Sequence, residues 1–293
     1  MAMNERVGVV GLGKMGAALA ARLAEQGCSV SGWTRSGVDV DWAGARGIGA
    51  PAILDDLVAE VDIVLLSLFD DGAVAAVLDR LITCDLRGKL VVDTSTVNPA
   101  TLKGYADRIT AAGAGVLDAP VSGWPKVVSM GQAGVFIGGE PVDVARFVPV
   151  AELFANRVFH VGPLGQGLAT KIVNNIMLAS YWQSLREALG VGRSLGLPGE
   201  LMLDILISGP AANGALSGKS EIILGKESPA SFTVAGIAKD LGVFCEVAAQ
   251  GGVATPALQA ALESFTQFRD AGYADRDFAA MPGAILKDGN DVL

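Results

Sequence analysis

Short apolar runs alternate with amphipathic stretches along the first half of the chain. The runs Val7–Val10, Ser29–Trp33, Ile63–Ser67, Leu90–Asp93, Gly115–Ala119 and Val135–Ile137 are short and rich in branched residues, and they predict strands. Between them, Ala17–Glu25, Pro51–Val58, Ala73–Leu81 and Pro99–Ala112 carry the wider spacing of helices. Strand and helix in alternation predict an α/β fold with a doubly wound parallel sheet. Past Gly162 the pattern changes. Gln166 to Leu195 is one helical stretch without an internal proline, and Gly209, Gly225, Gly251-Gly252, Pro198, Pro210, Pro229 and Pro256 punctuate further helical segments. The C-terminal half is therefore expected to be all-helical. The turn Val161-Gly162-Pro163-Leu164-Gly165 is the expected boundary, dividing residues 1–163 from 164–293.

The first strand leads directly into Gly11-Leu12-Gly13-Lys14-Met15-Gly16, and a helix follows. Strand, Gly-x-Gly-x-x-Gly and helix together are the context of a dinucleotide loop. Gly11 permits the tight turn, Gly13 lets backbone approach a pyrophosphate, and Gly16 lets helix pack on strand. The helix N-terminus then faces the anion. Leu12 and Met15, inside the loop, join the expected cofactor contacts, with core packing as the other reading of Met15. NAD enzymes usually carry an acid about 20 residues further on, for the ribose 2′-hydroxyl. Here the second strand ends in Thr34-Arg35-Ser36. A guanidinium fork and two hydroxyls suit a 2′-phosphate, so NADPH is expected in preference to NADH.

Composition narrows the class. The 293 residues are 51% hydrophobic and 18% charged, which describes an ordered globular chain of about two domains. A net charge of −9 argues against nonspecific nucleic-acid binding. The three cysteines have no metal or redox spacing, and with a single histidine no metal site is expected. No apolar run is long enough for a membrane span, and the first strand begins too early for a signal peptide, so a cytoplasmic location is expected.

Chemistry-bearing segments follow the loop in order. Asp93-Thr94-Ser95-Thr96 ends a strand, as does Asp118-Ala119-Pro120-Val121-Ser122-Gly123. Gly162-x-x-Gly165-x-Gly167-x-x-x-Lys171-x-x-Asn174-Asn175 opens the long helix, and Phe232 and Lys239-Asp240 come later. Lys171 and Asn175, at i and i+4, share a helix face. A carbonyl reduced by hydride gathers charge on oxygen. An ammonium beside it can deliver a proton, and a neutral amine can take one in reverse, help worth roughly 10²–10⁴-fold. Ser122 and Gly123 follow a strand end, where backbone N–H groups and a hydroxyl can cradle a carboxylate. Asp118 reads as structural, and so does the single histidine, His160.

With the glycine loop, these segments resemble the β-hydroxyacid dehydrogenase family, whose members include 3-hydroxyisobutyrate dehydrogenase and the glyoxylate/succinic semialdehyde reductases. The resemblance covers nearly the whole chain. It implies a Rossmann domain followed by a helical domain like that of 6-phosphogluconate dehydrogenase, which forms a homodimer. It further implies hydride transfer between a nicotinamide and a small 3-hydroxy acid or its semialdehyde. In that frame Lys171 is the general acid/base, Asn175 holds the substrate oxygen, and Ser122 and Gly123 bind the acid group. Thr96 lies by the nicotinamide ribose, and Lys239 approaches the cofactor.

One stretch departs from the family. Trp124-Pro125-Lys126 stands where a second glycine and small residues usually continue Ser-Gly. Trp124 is expected to line and reshape the substrate pocket, and Lys126 adds a cation. Imine reductases share the architecture but generally lack a lysine at the position of Lys171. They are the alternative reading, and a non-catalytic dinucleotide-binding scaffold is a second.

Overall fold

The structure, a computed structural model, describes residues 5–286. The chain divides into two compact units, Met1–Val173 and Asn174–Leu293.

The first unit is a doubly wound α/β fold. Its elements run β1 (Arg6–Val10), α1 (Lys14–Glu25), β2 (Ser29–Trp33), α2 (Val40–Gly44), α3 (Leu54–Glu60), β3 (Ile63–Leu66), α4 (Asp71–Leu81), β4 (Leu90–Asp93), α5 (Pro99–Ala111) and β5 (Gly115–Asp118). Then come β6 (Val121–Ser122), α6 (Pro125–Ser129), β7 (Ala133–Gly139), α7 (Pro141–Ala151), β8 (Ala155–Gly162) and the start of α8 (Gln166–Ser194). The order across the sheet is β2-β1-β3-β4-β5-β7-β6, with β8 paired to β7. From β2 to β5 every pairing is parallel. β3 and β4 are buried along their whole length, as strands covered on both faces must be. Alternate residues serve opposite cores. Val7, Val9, Ile63, Leu65, Leu90 and Val92 pack with Leu19 and Leu23 of α1 and Phe147 of α7. Val10, Val64, Leu66 and Val91 pack with Leu57 of α3, Leu78 of α4 and Leu102 of α5.

The far edge differs from the purely parallel expectation. β7 runs antiparallel to both β5 and β6. Leu117 and Asp118 pair with Gly139 and Gly138, then Val121 and Ser122 with Val135 and Gly134, in one continuous register. β5 and β6 are thus a single strand interrupted at Ala119-Pro120, where proline has no N–H to give the ladder. β8 lies parallel to β7 and was invisible in the hydrophobic pattern, because the exposed polar residues Asn156, Arg157 and His160 break its apolar run. Helix starts follow local chemistry. Asp70 caps α4 by accepting from Ala73 N at 2.8 Å, and Asn98 caps α5, with Pro99 in the first turn.

The second unit contains the remainder of α8, then α9 (Gly199–Ser208), α10 (Ser220–Ile223), α11 (Val234–Gln250), α12 (Pro256–Phe268) and α13 (Ala280–Gly283). Its core includes Trp182, which meets Phe278 edge-on at 5.0 Å between ring centroids, together with Phe244 and Phe265. Extended pairing in this unit, among the described residues, is one bridge between Thr233 and Asp277.

Candidate active site

The glycine loop sits between the C-terminal ends of β1 and β3. Gly11 has φ +95°, and a Cβ there would collide with the Ser67 carbonyl oxygen. A Cβ on Gly16 would collide with the Gly11 carbonyl oxygen. Gly13 is different, since apart from itself and its two chain neighbours no described residue has an atom within 4 Å of where its Cβ would be. Packing therefore does not demand glycine at Gly13. The open space beside it is the kind of cradle a pyrophosphate needs. Gly13 is also the N-cap of α1 and supplies no side-chain cap, which leaves the helix start suited to an anion. Leu12 and Met15 pack partly against the first core cluster. The residues present thus fit a dinucleotide.

At the end of β2, Thr34 Oγ1 lies 3.1 Å from Ser36 Oγ and donates to the Gly37 carbonyl at 2.9 Å. These bonds shape a turn that leaves the Arg35 side chain exposed.

The ends of β4 and β5 carry two carboxylates, Asp93 and Asp118, side by side in register and both fully buried. Asp93 Oδ1 accepts from Ser95 N at 2.9 Å, while Oδ2 has no partner among the described residues. Burial pushes the Asp93 carboxyl up to about 6, against the pull of the Ser95 bond. Thr94 Oγ1 donates to the Leu66 carbonyl at 2.6 Å, and Leu68 N donates to Ser95 Oγ at 2.9 Å. The turn to Thr96, which is half-buried, is thereby tied to β3. Asp118 accepts from Gly165 N and Leu168 N, both at 2.6 Å. Burial raises its carboxyl above the usual range, and the two amides oppose that rise.

Lys171 is 8% exposed and donates from Nζ to the Val121 carbonyl at 2.8 Å. The ammonium is thus held at the residue before Ser122-Gly123. Gly123 has φ +142°, and a Cβ there would press on Val127 at 3.2 Å. Trp124 is the half-buried N-cap of α6 in extended geometry, with Pro125 in the first turn, and Lys126 is exposed. Of the candidate residues, Lys171, Ser122, Gly123 and Trp124 come together in the first unit. Ser122, Gly123 and Trp124 are consecutive, and Lys171 lies 47 residues beyond Trp124.

Asn175 and Lys239 belong to the second unit. Asn175 Oδ1 accepts from Asn174 Nδ2 at 3.0 Å. Lys239, in α11, pairs with Asp240 at 2.5 Å. His160 Nε2 lies 3.2 Å from the carbonyl oxygens of Gly139 and Gly162, a backbone tether rather than part of this cluster. Two features escaped the sequence reading, the orphan oxygen of Asp93 and the bonds from Asp118 to the start of α8. The acids themselves were visible, but their partners lie too far along the chain for any local motif to mark.

Two family matches together cover most of the chain. Residues 6–162 match the family described as the NAD binding domain of 6-phosphogluconate dehydrogenase. Residues 165–285 match that described as the NAD-binding domain of NADP-dependent 3-hydroxyisobutyrate dehydrogenase. The 2-(hydroxymethyl)glutarate dehydrogenase of Eubacterium barkeri is 30% identical over 96% of this chain and 95% of its own. The structure of 3-hydroxyisobutyrate dehydrogenase from Mycobacterium tuberculosis with L-serine superposes with a TM-score of 0.85, at 26% identity over 97% of this chain and 100% of that one. An imine reductase from Myxococcus stipitatus shares the fold at a TM-score of 0.63 and 19% identity, covering 97% of this chain and 100% of that one.

Proposed function

The chain belongs to the 3-hydroxyisobutyrate dehydrogenase family of NAD(P)-dependent oxidoreductases, and on that premise we propose that it interconverts a small 3-hydroxy acid and its semialdehyde with NADPH in preference to NADH. Residues 1–163 form the cofactor domain in this reading, and residues 164–293 the substrate and dimerisation domain. The observation that carries it is the buried Lys171 ammonium bonded to the Val121 carbonyl, next to Ser122-Gly123.

When bound, the nicotinamide supplies or accepts the hydride. The protein's own groups handle the rest. Ser122 Oγ and the backbone N–H of Gly123 hold the substrate carboxylate. Lys171 Nζ donates a proton to the oxygen formed on reduction, or removes it in reverse. Its bond to the Val121 carbonyl holds the ammonium beside the acid subsite. Asn175, at i+4 on α8, orients the same oxygen. Trp124 walls the acid subsite, where its indole selects substrate shape. Gly11, Leu12, Gly13, Met15 and Gly16 hold the pyrophosphate, Thr34, Arg35 and Ser36 the 2′-phosphate, Thr96 the nicotinamide ribose, and Lys239 contacts the cofactor. No helix among the described residues is long and apolar enough to cross a membrane, and a cytoplasmic setting suits a nicotinamide reductase. Exposed Val191 and Leu195 of α8 and Leu201 and Ile205 of α9 support a homodimer through the helical unit.

The test is NADPH oxidation by the wild type and Lys171→Ala across glyoxylate, succinic semialdehyde, tartronate semialdehyde, methylmalonate semialdehyde and a cyclic imine. A fall of roughly 10²-fold or more on an aldehyde acid, with cofactor affinity retained, is expected. Unchanged turnover in the variant removes the mechanism, and turnover of the imine alone removes the substrate class.

A further inference from the structure

The start of α8 is capped from outside the helix. Gly165 is the N-cap, since its carbonyl accepts from Ala169 N at 3.0 Å, and Leu168 is the third helical residue. A helix commonly satisfies the N–H groups of these two positions with its own side chains, as in a capping box. Here a single carboxylate from β5 takes both, Gly165 N on Asp118 Oδ1 and Leu168 N on Asp118 Oδ2, each at 2.6 Å. Glycine makes the approach possible. A Cβ on Gly138 would collide with Asp118 Oδ1 and lie 2.8 Å from Gly167 N. A Cβ on Gly167 would collide with the Phe136 carbonyl oxygen and lie 2.7 Å from the Asp118 carbonyl oxygen. The first turn of α8 is thus seated in a glycine-lined notch directly over the Asp118 carboxylate.

Three residues past Asp118 on the same interrupted strand, the Val121 carbonyl receives Lys171 Nζ. Leu168, held by Asp118, and Lys171, held by Val121, stand at i and i+3 and share a helix face. The segment from Asp118 to Val121 therefore grips the first two turns of α8 at two points, one through the helix backbone and one through the lysine.

We propose that Asp118 is a positioning residue for the reaction: by binding the Gly165 and Leu168 amides it fixes the height and rotation of α8 so that Lys171 Nζ stands beside Ser122-Gly123. The inference rests on the reading of Lys171 as the proton donor. Asp118 acts through that lysine and not by touching substrate or cofactor. Replacing its carboxylate with an amide leaves the size of the side chain unchanged but turns one acceptor into a donor facing an N–H. The helix start must then shift or rotate, and a displacement near 1 Å in a reacting group costs on the order of 10²-fold in rate.

A double-mutant cycle on the full-length protein tests this, using kcat and KM for NADPH oxidation with the best semialdehyde of the panel. Asp118→Asn is expected to lower kcat roughly ten- to a hundred-fold, with the KM for NADPH within about two-fold of wild type. In the Lys171→Ala background the same change is expected to cost less than about two-fold, because the group it positions is already gone. A full additional loss in that background would show that Asp118 acts independently of Lys171 and would overturn the proposal. So would an Asp118→Asn enzyme with wild-type kcat. A Lys171→Ala enzyme with wild-type kcat overturns the proton-donor reading itself and the proposal with it, so the two failures are told apart. Should Asp118→Asn not fold, Asp118→Ser keeps one acceptor for the helix start without adding an amide donor, and it enters the same cycle with the same criteria.

Discussion

Replacing Asp93 with asparagine should change how the stability of the first unit depends on pH, by an amount that follows from the position of the residue. The carboxyl is fully buried, bonded through Oδ1 to Ser95 N, orphaned at Oδ2 among the described residues and flanked by Asp118. Burial is the largest influence on it and, with smaller contributions from Asp118 and Asp71, lifts it from 3.8 to about 6. The folded state therefore keeps this proton through a range in which the unfolded chain has released it. Stability is highest below the unfolded value and falls as pH rises through the folded one. The full difference is about 3 kcal/mol, from roughly 1.4 kcal/mol for each pH unit separating the folded and unfolded values. Between pH 4.5 and 7.5 about 2 kcal/mol of it is lost, because part of the fall lies below that window. Other carboxylates titrate too, so the useful quantity is wild type minus Asp93→Asn. Native-state hydrogen exchange of the β3 and β4 amides, corrected for intrinsic exchange, reports opening of this unit directly. The expected difference declines by about 2 kcal/mol from pH 4.5 to 7.5 and flattens above pH 7. A difference that stays flat within about 0.5 kcal/mol, or that rises, would refute the assignment of a buried, under-bonded carboxylate.

Other perturbations probe the loop, the cofactor and the assembly. Gly16→Ala places a Cβ against the Gly11 carbonyl oxygen, so titration calorimetry should show dinucleotide affinity falling by roughly ten-fold or more, with about 1–3 kcal/mol lost in stability. Unchanged affinity would mean that the loop tolerates the shift and that this close packing is not required. Arg35→Ala should raise the KM for NADPH roughly ten-fold or more, the worth of a charge-assisted phosphate contact, and leave that for NADH nearly unchanged. Equal effects on both cofactors would show that Arg35 does not read the 2′-phosphate. Val191 and Leu195 are 62% and 74% exposed, and Val191→Asp with Leu195→Asp should convert a dimer to monomer in sedimentation velocity. A dimer that survives both charges has its interface elsewhere.

Much of this protein can be read along the chain, because many of its determinants are local. The strand β1, the Gly11-Gly13-Gly16 turn and the helix α1 are contiguous, and Gly11 and Gly16 answer backbone demands within a few residues or on the neighbouring strand. The fully buried strand β3 shows as an uninterrupted apolar run, β4 as an apolar run closed by Asp93, and the long α8 as a helical pattern free of proline. Lys171, Asn175, Ser122 and Lys239 were recognisable as candidates from residue type, motif and family resemblance. Tertiary structure alone decided the rest. It made β5 and β6 one interrupted strand against β7, and it formed β8 from a segment whose exposed side chains leave no hydrophobic signature. It also put the cap of α8 on Asp118, 47 residues before Gly165, and the anchor of Lys171 on a carbonyl 50 residues away. It left one oxygen of Asp93 buried without a partner among the described residues. The physical reason is range. Apolar periodicity, turn preference and glycine geometry act over a few residues and mark the sequence there. The partner of a buried charge, or the register of an edge strand, is chosen when distant segments close on one another, and neither segment carries a mark of the other.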